Sequence, residues 1–153
     1  MARLKDIPAG EREMLMNLPL PSFDSTPFVK GGPLSERRVA ILSTAALQTR
    51  SDRTFARGDA SYRVIPGQTQ PNDIIMSHAS VNFDRSGFQQ DYNVCFPLDR
   101  LRELAAEGVI GSVADYHYTV SGANPPERLE GTARQIAGLM KRDGVDAALL
   151  IPV

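Results

Sequence analysis

The sequence predicts an α/β domain: an open, mainly parallel sheet with flanking helices in a three-layer arrangement, preceded by an extended proline-rich arm. Two observations predict this class. Strand patterns alternate with helical patterns along the chain, which is typical of layered α/β domains. The run "VDAALLIPV" at 145–153 is almost continuously apolar, as in a central parallel strand covered on both faces. The 153 residues suffice for one domain with a hydrophobic core.

The predicted arm covers residues 1–36 and is rich in proline. Its segment "NLPLPSFDSTPFVKGGPLSERR" contains Pro19, Pro21, Pro27, Pro33 and the pair Gly31-Gly32. Each proline removes a backbone donor and biases the preceding residue away from helical geometry. We therefore expect an extended segment that wraps the domain, after one short helix at 11–18.

The α/β domain is predicted over 37–153, with an incomplete C-terminal side, and it begins with strands. The apolar run 39–42 suits a buried strand. The alternating, β-branched "YRVIP" at 62–66 indicates a second strand, and "NDIIMSH" at 72–78 a third. The polar stretch between the first two strands is predicted to be a long loop.

Two amphipathic helices follow. Pro97 begins the first and Gly108 ends it, whereas Pro126 and Gly144 bound the second. Apolar residues recur at helical spacing in both, so that each helix has one face for the sheet. These faces consist of Leu98, Leu101, Leu104 and Ala105 in the first helix, and of Leu129, Ala133, Ile136 and Met140 in the second.

Composition and charge exclude several function classes. The net charge of −1 and the pI of about 6.1 give no sign of the basic face that nucleic acid or an anionic membrane requires. No apolar run is long enough to span a bilayer, and the first residues do not resemble a secretion signal. Cys95 is the one cysteine, so an internal disulfide is impossible. A cytoplasmic location is expected.

Titratable side chains are concentrated around the first helix. His78 ends the third predicted strand, where open α/β sheets place functional residues. His117 follows in "ADYHYTVSGA", and Asp84 and Asp91 lie between the two histidines. Such a set can bind a metal or perform acid–base chemistry. The spacing matches no standard zinc pattern, so no metal site is assigned, and each histidine can instead be a loop residue that bonds to backbone.

Other polar residues near this helix have structural alternatives. Asp91 and Asn93 are well placed to cap turns and helices. Cys95 has apolar neighbours and is expected to be buried rather than nucleophilic. The segment "SGAN" at 121–124 precedes the second helix, and its N–H groups can hold an anion such as a substrate carboxylate. An ordinary loop with a helix cap is the alternative there.

Three blocks of the sequence resemble one family. They are "GDASYRVIP" (58–66), "SHASVNFDRSGFQQDYNVCFPLDRLRELAAEGVIG" (77–111) and "ADYHYTVSGA" (114–123). They resemble the amino-terminal part of the glycine/sarcosine/betaine reductase selenoprotein B subunit, which is similar to the D-proline reductase selenoprotein. The resemblance covers residues 39–153. It implies reductive cleavage of a C–N bond in glycine, sarcosine, betaine or a D-proline-like substrate.

The resemblance also implies where the redox residue lies. In this family a selenocysteine-x-x-Cys motif, or its cysteine counterpart, follows a strand similar to "DGVDAALLIPV". A selenocysteine is therefore expected immediately after Val153, and no cofactor is expected within the chain itself. Because UGA encodes selenocysteine, one hypothesis is a reading frame terminated at its own UGA, or a truncated piece. A short paralogue without the redox centre is the alternative. Alone, the chain is predicted to be inactive in reductive cleavage.

Positions along the predicted sheet suggest roles for individual residues in the complete protein. His78 and His117 are predicted to act in catalysis, by binding substrate or transferring protons. The residues predicted to bind a small amino-acid-like substrate are Asp84, Asp91, Asn93, Tyr118, Ser121 and Gly122. The predicted partners are other subunits of a reductase complex, or further copies in a homo-oligomer. Two alternatives remain: a non-redox binding or regulatory module, and a metal-dependent enzyme that uses both histidines and the aspartates.

Overall fold

A computed structural model describes residues 3–20, 22, 24, 26, 28–79 and 83–153. The strands are β1 (Arg38–Ser43), β2 (Leu47–Thr49), β3 (Tyr62–Pro66), β4 (Ile74–Met76), β5 (Ser112–Val113), β6 (Tyr116–Val120) and β7 (Ala147–Ile151). The α-helices are α1 (Ala9–Met16), α2 (Ser86–Gln90), α3 (Leu98–Ala106) and α4 (Pro126–Arg142). Short 3-10 helices lie at Leu4–Asp6, Leu34–Glu36, Pro71–Asp73 and Tyr92–Val94.

The main sheet is built around β1. Strand β7 runs parallel to β1 along one side, and β5 and β6 run parallel to it along the other. Strand β3 pairs with β6 in the antiparallel sense, so the sheet is mixed but mainly parallel. Strands β2 and β4 form a separate antiparallel pair. The predicted α/β class with a mainly parallel sheet is thereby confirmed.

Two apolar layers cover the faces of the main sheet. On one face, α4 packs Ile136 and Met140 against Ala40 and Tyr118. On the other face, α3 and residues of the small β2–β4 sheet bury a larger cluster that includes Phe96. Burial of this apolar surface is the main force that holds the layers together. The arrangement is therefore the three-layer type that the sequence predicts.

The predicted apolar faces of α3 and α4 agree with the structure at seven of their eight positions. In α3, Leu98 and Leu101 are buried, and Leu104 and Ala105 pack against the same cluster. In α4, Ile136 and Met140 are buried and Leu129 is half-buried. Ala133 is exposed, contrary to the prediction, and the part of α4 that packs on the sheet is its C-terminal half.

The position of the last strand corrects one prediction. Strand β7 pairs with β1 alone among the described strands, so it lies at an edge, and β1 is the central strand. The side chains of Leu149 and Leu150 are 36% and 56% exposed. The two residues point to opposite faces, so both faces of β7 are partly open. An apolar run predicts a strand but does not reveal how many neighbours the strand has.

Three strands were missed by the sequence patterns. Strand β2 lies in the stretch predicted to be a long loop, and β5 and β6 lie between the two helices. Strand β6 reads "YHYTV", in which His117 and Thr119 are polar yet fully buried. Their side chains accept hydrogen bonds from backbone N–H groups of Ile41 and Leu47. These long-range partners cannot be recognised in a local pattern.

The extended, wrapping arm is not confirmed. No side chain is buried among the described residues between 3 and 36, and Leu20 and Phe28 are strongly exposed. The short helix forms at Ala9–Met16, two residues earlier than predicted. Pro21 and Pro27 lie outside the described residues. The arm boundary and its wrapping therefore stay predictions.

Within the described ranges, no helix is long and apolar enough to cross a membrane.

Candidate functional site

The carboxyl ends of the parallel strands meet at Thr44. Because β1, β6 and β7 run in the same direction, they end at the same edge of the sheet. The Thr44 N–H donates to the Ile151 carbonyl at 3.0 Å, and the Gly122 N–H donates to the Thr44 carbonyl at 3.0 Å. The Val153 N–H donates to Thr44 Oγ1 at 2.8 Å. Thr44 thus connects the ends of all three strands.

His78 reaches the same edge from the small sheet. It follows β4, which is attached here because the Ser77 N–H donates to the Ala46 carbonyl at 2.9 Å. The His78 ring is 6% exposed and packs edge-on against Phe83, with 5.1 Å between the ring centroids. Within the part of the chain that the structure describes, its Nδ1 has no hydrogen-bond partner.

The surroundings of His78 favour a neutral imidazole. Burial lowers its pKa most, the charge of Arg85 lowers it further, and a hydrogen bond to the Thr44 backbone opposes both. Arg85 also donates to the His78 carbonyl. A neutral histidine with one unpaired ring nitrogen can take up a proton there. The predicted location of His78 at the functional edge is therefore what the structure shows, while its role stays a prediction.

The turn between β1 and β2 adopts an unusual conformation at this edge. Ala46 has a φ of 51°, in the left-handed region that residues with a Cβ rarely adopt. It is held there from two sides, because its N–H donates to the Val120 carbonyl at 3.0 Å and its carbonyl accepts from Ser77. These two hydrogen bonds connect the main sheet to the small sheet beside His78.

A cavity of about 490 Å³ opens beside this turn. Its lining residues come from the loop before β3, from the end of β4 and from the loop after β6: Phe55, Ala56, Arg57, Gly58, Ser77, Ala79, Ser121 and Ala123. Of the residues predicted to bind substrate, Ser121 lines the cavity and Gly122 lies between two lining residues. Sequence reasoning missed Arg57 and Ser77. The one sequence signal near Arg57 is the glycine that follows it, because glycine favours turns. In the structure Gly58 does form a turn, with a φ of 74°.

His117 lies away from this cavity, in the core. It is 0% exposed in β6, its Nδ1 accepts the Ile41 N–H at 3.0 Å, and its ring packs edge-on against Phe96. Burial lowers its pKa to about 4. Its Nε2 has no partner among the described residues. The structure therefore shows His117 supporting the pairing of β1, and its predicted catalytic role stays untested.

Tyr118 and His117 are adjacent in sequence and point to opposite faces of the sheet. Tyr118 is buried under α4 and makes an edge contact with Tyr62. It lines a different cavity of about 420 Å³, near the C-terminal end of α4. The structure thus separates Tyr118 from Ser121, although both were predicted to bind one substrate.

Asp84, Asp91 and Asn93 each accept a hydrogen bond from a nearby backbone N–H group. Asp84 accepts the Ser86 N–H at 2.9 Å at the start of α2, and this hydrogen bond lowers its pKa. Asp91 accepts both the backbone N–H and the side-chain amide of Asn93, which lowers the pKa of Asp91. Asn93 Oδ1 in turn accepts the Asp99 N–H at 3.0 Å, in the first turn of α3. Asp91 and Asn93 thus make the hydrogen bonds of the cap and turn alternative given for them, and a substrate role for all three residues stays a prediction.

The metal-dependent alternative has no donor set in the described part of the chain, which contains no group of three His, Cys, Asp or Glu residues able to hold an ion. Cys95 is buried as predicted, and burial raises the pKa of its thiol. A thiol in this environment is a poor nucleophile.

Gly122→Ala should destabilise the fold by about 1–3 kcal/mol, because overpacking forces neighbouring atoms apart. A Cβ at Gly122 would lie 2.9 Å from the Thr44 Cβ and 3.1 Å from its Oγ1. Gly131→Ala is the matched control, since a Cβ there meets nothing within 4 Å. Because alanine favours a helix more than glycine does, Gly131→Ala in α4 should raise the free energy of unfolding by about 1 kcal/mol. Urea unfolding measures both, and an equal effect of the two substitutions would contradict the close approach of Gly122 to Thr44.

The fold is an α/β domain with a cavity at the carboxyl edge of its sheet. The model of the family described as glycine/sarcosine/betaine reductase selenoprotein B matches residues 11–152. The chain therefore belongs to this family, as its sequence blocks indicate.

Relatives with assigned functions are reductase subunits. The chain is 36% identical over 128 residues to a D-proline reductase subunit gamma of Acetoanaerobium sticklandii, covering 82% of this chain and 51% of that protein. It is 29% identical over 142 residues to a glycine reductase complex component B subunit gamma of Carboxydothermus hydrogenoformans, covering 87% and 32%. It is 26% identical over 148 residues to a betaine reductase complex component B subunit beta of Peptoclostridium acidaminophilum, covering 93% and 34%.

The chain spans about half the length of the D-proline reductase subunit and about one third of the other two. No solved structure matches it significantly.

Proposed function

We propose that this chain forms the substrate-binding α/β domain of an amino-acid reductase subunit. The observation that carries the proposal is the meeting of three parallel strand ends and a 490 Å³ cavity at one edge of the sheet. His78 lies between the lining residues Ser77 and Ala79 in the sequence and does not itself line the cavity. Open α/β sheets bind small ligands at such an edge. The relatives are named as subunits of reductases for D-proline, glycine, sarcosine and betaine. The family resemblance implies that the reduction cleaves a C–N bond of such a substrate.

The redox residue is proposed to belong to the polypeptide that follows Val153 in complete family members. In support, Thr44 Oγ1 accepts the Val153 N–H at 2.8 Å and donates to its carbonyl at 3.3 Å. A chain that continued from Val153 would start at the edge where His78 lies. A selenolate or thiolate there would supply the nucleophile, and a second sulfur would resolve its oxidised form. Cleavage consumes two electrons and two protons from a dithiol, which becomes a disulfide.

His78 is proposed to hold and transfer a proton at Nδ1. The leaving amine must gain a proton when the C–N bond breaks. A neutral imidazole at the edge can take that proton from a thiol or selenol and deliver it. The proposed partners are the other subunits of a reductase complex, because two of the relatives are named as subunits of such complexes.

The proposal predicts activity only in a longer product. The coding sequence after Val153 should read UGA, followed by an in-frame cysteine codon in the selenocysteine-x-x-Cys pattern. The 153-residue chain and the read-through product are compared for amine release from glycine, sarcosine, betaine and D-proline with a dithiol donor. We expect release only from the longer product, and at least about a 100-fold loss of kcat when it carries His78→Ala.

Two results would contradict this proposal. One is a UAA or UAG codon with no downstream frame, which would make the chain a paralogue without a redox centre. The other is turnover by the 153-residue chain itself. Gly131→Ala in the longer product is the control for His78→Ala, since this exposed helical site lies outside the cavity.

A further inference from the structure

The cavity at the carboxyl edge carries a single kind of charge. Arg57 is the one charged side chain among the described residues that line it. Within the described ranges, the Arg57 guanidinium makes no hydrogen bond and no ion pair. Most other arginines of the domain have partners, as Arg38 has with Asp143 and Arg63 with Asp59. A guanidinium left free at a cavity is suited to bind a carboxylate through two parallel hydrogen bonds.

Hydrogen bonds from α4 and from the residue Asn124 before it hold the loop that carries Arg57. Arg128 donates to the Gly58 carbonyl at 3.1 Å, and Thr132 donates to the Ala60 carbonyl at 2.6 Å. Asn124 donates to the Asp59 carbonyl between them at 2.9 Å. Three successive carbonyls are thus attached to α4 or to the residues before it. A backbone held in this way reduces the entropy lost when Arg57 binds a ligand.

The Ser77 hydroxyl can only accept a hydrogen bond from a ligand in the cavity, because its own proton is already used. Its hydroxyl lies 2.8 Å from Gln48 Oε1, and the same oxygen accepts the Phe55 N–H at 3.2 Å. The Gln48 amide nitrogen donates to Thr54, so the orientation of the buried amide is determined by its partners. A carbonyl oxygen cannot donate, and the Ser77 proton must therefore point to Gln48. No described residue donates to the Ser77 hydroxyl, so its lone pairs remain for a ligand that donates a hydrogen bond.

We propose that this cavity selects small amino acids that keep at least one N–H on their nitrogen. Arg57 binds the carboxylate, and Ser77 accepts a hydrogen bond from the ammonium group. Sarcosine and proline carry such N–H groups, whereas the quaternary nitrogen of betaine carries none. Betaine would leave the Ser77 acceptor unpaired and would bring methyl groups against it. The inference rests on the proposed function, because that function supplies an amino acid as the ligand.

Calorimetric titration of the 153-residue chain with sarcosine and with betaine tests this selectivity directly. The two ligands share the carboxylate and differ only in methylation of the nitrogen. We expect sarcosine to bind about tenfold or more tightly than betaine, the value of a hydrogen bond to a charged group. Ser77→Ala should bring the ratio of the two dissociation constants close to one, chiefly by weakening the binding of sarcosine.

Two arginine variants separate the carboxylate contact from general charge. Arg57→Ala should weaken both ligands about tenfold or more, because each has a carboxylate. Arg53→Ala removes the same charge from the same loop, at a side chain that is 79% exposed and outside the cavity lining. Arg53 pairs with Asp59 at 3.6 Å, and Asp59 keeps its closer pair with Arg63 at 3.0 Å in this variant. This control should bind both ligands as the unmodified chain does. Circular dichroism of each variant establishes that the fold is retained.

Equal binding of sarcosine and betaine would overturn the inference and leave the proposed function intact, since a reductase site can accept both. Binding of neither ligand would also overturn it. In that case the amine-release assay of the read-through product decides the proposed function independently. If Ser77→Ala still bound sarcosine more tightly than betaine, Ser77 would not be the residue that accepts the hydrogen bond from the ligand nitrogen.

Discussion

The free energy of unfolding should fall by about 3 kcal/mol as the pH is lowered from 6.5 to 4, because of His117. In the unfolded chain this histidine takes up a proton near pH 6.5. In the folded chain burial lowers its pKa to about 4, so it stays neutral over the whole window. The unfolded state therefore binds more protons between these values, and stability is lost as the pH falls through them.

Urea unfolding between pH 7 and pH 4.5 measures this effect of His117. His117→Gln should remove most of the pH dependence, because glutamine does not titrate and its oxygen can still accept the Ile41 N–H. His117→Leu should instead destabilise the chain at pH 7 by about 1–3 kcal/mol, since it leaves a buried N–H without a partner. His78→Gln is the comparison variant: burial also lowers the pKa of His78, so this substitution should remove a smaller part of the pH dependence. A slope that persists in His117→Gln and disappears in His78→Gln would contradict the prediction.

Asp59→Ala should destabilise the fold by about 3 kcal/mol, the low end of the cost of breaking a buried ion pair. The side chains of Asp59 and Arg63 are 10% and 8% exposed, and the two groups are 3.0 Å apart. Arg63 also donates to the Arg53 carbonyl at 2.7 Å and stacks over Phe55. Removal of Asp59 leaves this guanidinium buried with an uncompensated charge. Because Phe55 lines the cavity, loss of the pair should also weaken ligand binding.

A double-mutant cycle separates the charge from the packing. Asp59→Ala combined with Arg63→Met should recover much of the lost stability, since no unpaired charge then remains. Glu130→Ala is the control: it breaks the exposed pair with Arg134 and should change stability by less than about 1 kcal/mol. Equal effects of Asp59→Ala and Glu130→Ala, measured by urea unfolding, would contradict the prediction.

The Asp59 carboxylate should also make the stability of the fold sensitive to strong acid. Burial alone would raise the pKa of Asp59, but hydrogen bonds from Ser61 and the charge of Arg63 outweigh it and lower the pKa to about 2. The stability contributed by the pair is therefore present above pH 3.8 and is lost as the pH falls toward 2. This window lies below that of His117, so the two contributions can be separated in one titration.

Local patterns were sufficient for the class of fold and for several of its elements. The alternation in 62–66 and the apolar spacing of α3 and α4 predict elements that the structure contains, because burial of one face imposes a period on the sequence. The sequence blocks around His78 also indicate the family, which the family model matches over residues 11–152.

Patterns failed where a polar residue is buried by a distant partner. His117 and Thr119 interrupt β6 with polar letters, and both are satisfied by backbone groups of strands far away in the chain. The capping roles of Asp91 and Asn93 were recognisable as alternatives, since helix caps are formed by neighbours in sequence.

The sequence by itself determined the α/β class, the helices α3 and α4 and the family, because these depend on local periodicity and on the order of residues. Only the tertiary structure decided that β7 lies at an edge, that His117 belongs to the core, and that Arg57, Ser77 and Ser121 line one cavity. The physical reason is that strand pairing and side-chain hydrogen bonds join residues tens of positions apart. No local pattern records which distant backbone group will satisfy a buried polar side chain.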